Sequence, residues 1–84
     1  MELKDTIEMM GSADYQERYK AEYYQLKIRA EKLSAMLEKY KAGTLNFTPS
    51  CSYELLFEQL IYMRGYMRIL QERAKIESVA LKEG

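Results

Sequence analysis

The sequence contains no histidine. That removes the usual general base at neutral pH, any catalytic triad resting on one, and the commonest zinc ligand. A single cysteine, Cys51, allows no disulfide within the chain and no thiolate metal cluster. The 13 basic and 13 acidic side chains cancel, so no global field draws the protein toward DNA or an anionic membrane, and any anion site must be local. No apolar stretch approaches the ~18 residues of a membrane span, and no signal-like leader is visible. A reducing cytosol is the expected compartment. G-x-x-x-x-G-K, G-x-G-x-x-G and H-E-x-x-H are all missing. The carboxylates are scattered, with Glu54 and Glu58 the single acidic pair at i,i+4. No catalytic residue, metal ligand or cofactor site is therefore expected, and an enzyme is improbable.

What is present is helical. The 84 residues make one domain, 1–84, of a size at which a single core is marginal and oligomerisation a common remedy. Glycine and proline, at 4 and 1 residues, punctuate the chain in few places. Leu3, Ile7 and Met10 predict a short amphipathic helix over 1–10, which Gly11-Ser12 breaks. A long helix is predicted over 13–42, capped by Ser12 or by Asp14, which has Glu17 at capping-box spacing. Gly43 suits a helix C-terminus and Pro49 the approach to a new one. The segment 43–51 reads as the loop and 52–82 as the second long helix.

The two long segments mirror each other. Tyr19, Tyr23, Leu26, Ala30, Leu33, Leu37 and Tyr40 recur at spacings of four and three; Tyr53, Leu56, Leu60, Met63, Met67, Leu70 and Ala74 reverse that order. Paired outward from the loop, Tyr40 meets Tyr53, Leu37 meets Leu56, and so on to Tyr19 with Ala74, each pair summing to one value. An antiparallel helical hairpin requires that register. Two of the 6 methionines, Met63 and Met67, fall in the seam as gap-fillers. A second apolar stripe, Leu55, Tyr62, Tyr66, Ile69, Ile76 and Ala80, lies about 100° round the second helix. The short N-terminal helix can cover part of it. The rest predicts assembly of an all-α hairpin into a helical-bundle homo-oligomer.

Polar groups flank the seam. On one flank Glu22 is expected near Arg73 as a salt bridge, and Arg29 near Tyr66 as a cation–π pair. On the other, Lys20 meets Gln71 and Lys27 meets Arg64, two cations face to face with no carboxylate between them in the register. The second helix carries no acid from Gln59 through Gln71, holds Arg64 and Arg68 one turn apart, and has Gly65 among them. A mid-helix glycine usually permits a close approach by a helix or a ligand. Tyr24, Lys27, Arg29, Tyr62, Arg64, Tyr66 and Arg68 thus form a candidate phosphate-plus-aromatic site: cations on phosphate oxygens, a tyrosine ring on a base. The plainer reading makes the cations a solvated helix face and the tyrosines core or interface. Cys51 is expected to be a buried structural thiol.

Several blocks resemble a family of small phage-encoded proteins related to a crAss-like phage product: Met1-Glu2-Leu3-Lys4-Asp5-Thr6, Asp14-Tyr15-Gln16-Glu17-Arg18, Ala21-Glu22-Tyr23-Tyr24-Gln25-Leu26-Lys27, Leu45-Asn46-Phe47-Thr48-Pro49-Ser50-Cys51 and Arg73-Ala74-Lys75-Ile76-Glu77. The chain departs from that pattern at Ala30, where an aromatic residue is expected, and at Ser52, where proline is. The resemblance implies an accessory phage protein working in the host bacterial cytoplasm. Small helical phage proteins of this kind include signal sponges. These oligomers hold nucleotide second messengers of bacterial immunity, such as cyclic dinucleotides or cyclic ADP-ribose isomers, away from their effectors. The expected function is therefore sequestration of such a messenger between protomers, without catalysis, DNA or membrane. The alternative is a structural or adaptor protein docking a host or phage protein through its second apolar stripe.

Overall fold

The computed structural model describes residues 1–81. A 3-10 turn, Leu3–Thr6, runs into the short helix α1, Ile7–Met10; two long helices follow, α2 over Tyr15–Ala42 and α3 over Tyr53–Glu77. Among the described residues there is no strand. α2 and α3 pack antiparallel into a rod of 43 × 24 × 22 Å, and no helix is long and apolar enough to cross a membrane.

The ends of α2 follow from their local chemistry. Asp14 caps the N-terminus by accepting from the Gln16 backbone N–H at 2.9 Å. The expected reciprocal bond from Glu17 is replaced: the Asp14 N–H donates to the Ser12 hydroxyl, and Glu17 turns to Lys20 at 3.9 Å. The helix therefore starts at Tyr15 rather than at residue 13. At the other end Gly43 takes φ 75°, a left-handed conformation that glycine adopts without a Cβ penalty. The Thr44 N–H then closes back on the Lys39 carbonyl at 2.9 Å. Ser52 caps α3 through the Leu55 N–H at 3.2 Å.

The seam forms in the register that the spacing predicts. Near the loop Tyr40 meets Tyr53 edge-on at 5.6 Å, and Phe57 stacks on Tyr53. Ala30, Leu37 and Leu60 are buried together with Leu33, Leu56 and Met63 against them. At the far end Tyr19, Tyr23, Leu70 and Ala74 form a second buried cluster. The Tyr19 hydroxyl donates to the Leu70 carbonyl and the Gln71 amide donates to the Tyr23 hydroxyl, so neither buried phenol is left without a partner.

Two terminal segments depart from expectation. The first turn is 3-10, with three residues per turn, so Leu3, Thr6 and Met9 align on the inner side while Ile7 and Met10 face solvent. This arm packs on α2, not on the second stripe of α3. Its fully buried Thr6 hydroxyl donates to the Leu3 carbonyl at 2.7 Å and accepts from the Gln25 amide at 2.9 Å. α3, predicted to run to residue 82, ends at Glu77, and residue 82 itself lies outside the described residues. Ser78 is left-handed at φ 58°, and the Val79 N–H bonds the Ala74 carbonyl at 2.8 Å. Beyond Ser78, Val79 joins the buried cluster that holds Tyr23 and Tyr24, and Leu81 packs against that cluster, partly buried. The accompanying apolar contact between Val79 and Ala74 is usual for such a helix end.

Candidate functional site

Six residues of α2 and two of α3 build a cleft on one flank of the hairpin. Lys27, Glu31, Ser34 and Glu38 recur along one face of α2 at spacings of four, three and four. Arg64 reaches across from α3, its guanidinium 3.4 Å from the Ser34 hydroxyl. Ala30, Ala35 and Met67 give the cleft an apolar floor, and its volume is about 270 Å³. The facing pair Lys27 and Arg64 thus exists, but two carboxylates that pairwise register overlooked, Glu31 and Glu38, line the same cleft. Two cations and two carboxylates cancel there. The cleft is amphoteric, able to donate to anionic oxygens at Lys27 and Arg64 and to accept from hydroxyl or amino groups at Glu31 and Glu38.

The remaining candidates fall elsewhere. A helix advances about 100° per residue, so residues two apart stand nearly opposite. Tyr62 and Tyr66 therefore point away from Arg64 and Arg68. The tyrosines, both exposed, line a shallow groove with Leu55, Gln59 and Met63 on the other side of α3. Arg68, exposed, continues the Arg64 side by one turn. Arg29 is exposed on the Tyr66 flank of α2. The Tyr66 hydroxyl, on that flank, donates to the Glu22 carboxylate. Tyr24 is 8% exposed and edge-on to Tyr23 at 5.6 Å, packed in the core rather than presented to a ligand. One chain therefore does not assemble the seven residues. It brings Lys27 and Arg64 together, with Arg68 beyond, and sets Tyr62, Tyr66 and Arg29 on the opposite flank. Cys51, expected to be buried, is exposed beside the loop.

A second polar cluster ties the far end of the rod. Arg73 pairs with Glu77 at 3.1 Å, one turn along α3, instead of with Glu22. It also donates to the Tyr15 hydroxyl at 3.2 Å and lies over the Tyr19 ring at 5.2 Å. The Tyr15 hydroxyl donates to Glu77 at 2.6 Å. That bond, aided by Arg73, holds the Glu77 carboxyl below its ordinary value; the same bond raises the Tyr15 phenol against the opposing effect of Arg73. Burial raises the Tyr19 phenol. These groups are satisfied by one another and fasten α3 to the start of α2. They read as structure, not as a site.

A family model, Sequestin, matches residues 13–76. The chain belongs to the Sequestin family. The match takes in nearly all of both long helices and every residue of the Lys27–Arg64 cleft, while the N-terminal arm and the Val79–Leu81 return lie outside it. The Sequestin region is thus the hairpin itself. No curated protein and no solved structure matches the chain.

Proposed function

We propose that this Sequestin-family hairpin sequesters an anionic nucleotide second messenger and performs no chemistry on it. The observation that carries the reading is the cleft in which Lys27 and Arg64, from different helices, share an apolar floor. A nucleotide presents what that amphoteric lining can use. Its phosphate oxygens suit Lys27 and Arg64, with Arg68 one turn on, while ribose hydroxyls or an exocyclic amine suit Glu31 and Glu38. At about 270 Å³ the cleft lies just below the ~300–1,000 Å³ of ordinary small-molecule sites, so it suits one nucleotide unit rather than a whole cyclic dinucleotide. The family name points to holding a ligand back, which by mass action needs only affinity and abundance. The resemblance to small phage proteins supports a setting in the cytoplasm of a bacterial host, where a messenger withheld is an immune signal lost.

The test is thermal unfolding against cyclic dinucleotides, cyclic trinucleotides, cyclic ADP-ribose isomers and ADP-ribose. At a hundredfold excess over Kd, ligand adds about 2.7 kcal/mol, which raises Tm by about 10 °C or more in a chain of this size. Arg64→Glu abolishes that rise and leaves the unliganded Tm within a few degrees, because Arg64 is exposed and bonds only weakly to Ser34. A flat response across the panel overturns the reading. It would favour instead an adaptor that uses the exposed apolar side of α3, which Arg64→Glu would leave unaffected.

A further inference from the structure

The outer face of α3 is apolar and uncovered. Leu55, Tyr62, Ile69 and Ile76 recur every seven residues along it and are 56%, 70%, 49% and 83% exposed. The N-terminal arm, which could have lain there, packs on α2. We infer that a second copy of the chain covers this face, its α3 antiparallel to the first and the two-fold axis passing between Gly65 and Tyr66.

Three observations select that occupant. The first is register. With α3 laid antiparallel on itself, one alignment sets Leu55 on Ile76 and Tyr62 on Ile69, again with each pair of residue numbers reaching one sum. The same alignment sets Glu58 opposite Arg73 and Gln59 opposite Glu72, so the polar positions between the apolar ones are complementary rather than alike. The second is Gly65. A Cβ built there meets nothing within 4 Å, so the chain's own packing does not require glycine. A mid-helix glycine with no internal reason marks a close approach from outside. In this alignment the partner's Tyr66 lies over it. The third is area. The chain exposes 6069 Å², whereas a compact protein of 9.9 kDa exposes roughly 5,200 Å². The excess, roughly 900 Å², matches the roughly 800 Å² that each partner contributes to a standard interface.

The dimer buries Tyr62 and Tyr66 against protein rather than against a base. The Lys27–Arg64 cleft, on the side of α3 turned away from this face, stays open in each copy. The inference does not rest on the nucleotide reading, and its tests contain no nucleotide, so either can fail alone.

The test is mass and register together. Light scattering of the full chain from about 1 to 100 µM gives two chains at the upper end. Gly65→Leu, which the single chain accommodates, keeps its helical circular dichroism and raises the dissociation constant at least tenfold. In a Cys51→Ser background, Tyr62→Cys with Ile69→Cys oxidises to a covalent dimer. Either single cysteine, seven residues and so about two turns from its own mate in this register, cross-links at least tenfold less. One chain at 100 µM overturns the inference. So does a dimer indifferent to Gly65→Leu, and so does cross-linking by the single variants equal to that of the double, which would mean a different face or register.

Discussion

Exchange of one large–small pair across the seam tests the hairpin register directly. Ala30 is buried and Met63 half-buried, both within the cluster formed with Leu33 and Leu60. Ala30→Met alone forces a thioether into filled space, an overpacking worth about 1–3 kcal/mol. Met63→Ala alone leaves a gap; because Met63 keeps some solvent contact, the loss sits at the low end of the usual range, about 2 kcal/mol. If the two residues face each other, the double exchange returns the missing volume to the same layer from the other helix. It should then fall within about 1.5 kcal/mol of the parent, with a coupling of at least 1 kcal/mol. Urea unfolding followed by circular dichroism at one fixed chain concentration measures all four proteins, and in Tm each kcal/mol appears as about 4–8 °C. Additivity, with the double loss equal to the two single losses within about 0.5 kcal/mol, would refute the facing arrangement.

Other expectations follow from single sites. Gly43→Ala forces a Cβ into left-handed backbone and lowers stability by about 1 kcal/mol, whereas Ser78→Gly relieves the same strain and raises it by up to about 1 kcal/mol; a thermal melt shows the opposite signs, and equal signs would contradict the two helix ends described. Leu70→Ala empties a fully buried position between Tyr19 and Tyr23 and costs about 3 kcal/mol, while Ile69→Ala, one residue away but half exposed, costs less than about 1 kcal/mol at a concentration where the chain is monomeric. The Tyr15–Glu77–Arg73 cluster gives the protein two pH limbs. Glu77 is held below its ordinary 4.5, so its contribution is present above that value and lost as the pH falls through the lower folded one. Tyr15 and Tyr19 are raised above 10.0, so theirs is present below 10.0 and lost as the pH rises through the folded values. Glu77→Gln should flatten the acid limb of Tm against pH and weaken the alkaline limb at Tyr15. An unchanged acid limb would show that Glu77 is not the group responsible.

The hairpin was legible because its signal is periodic and redundant. Seven seam layers have to agree, and a helix of the wrong phase would break them all at once. Single-residue events were less legible. Ser78 ends α3 by adopting a conformation that serine rarely takes, after which Val79 is buried and Leu81 partly buried. Only an apolar pair after a helix already long enough hinted at it. The arm was misphased because a 3-10 turn repeats every three residues, not every 3.6, which exchanges Ile7 and Met10 for Thr6 and Met9 as the inward side.

The candidate site shows how proximity along a chain misleads on a helix. Tyr62, Arg64, Tyr66 and Arg68 alternate two residues apart, a spacing that gathers side chains on one face of a strand. On α3 it separates them, tyrosines to one side and arginines to the other. The same 100° rule that built the hairpin, applied to these four residues, divides the supposed single site into two surfaces with different chemistry. One is charged and concave, shared with Lys27, Glu31, Ser34 and Glu38 of α2. The other is apolar and nearly flat, with Gly65 at its edge. A concave amphoteric cleft suits a small polar ligand, and a flat apolar stripe suits a helix. The division therefore removes the need for one surface to do both, and it predicts separable variants. Arg64→Glu should change ligand response without changing mass, and Gly65→Leu should change mass without changing ligand response. A variant at either position that altered both would mean that the two surfaces are coupled through the ligand, and that the messenger is held between copies after all.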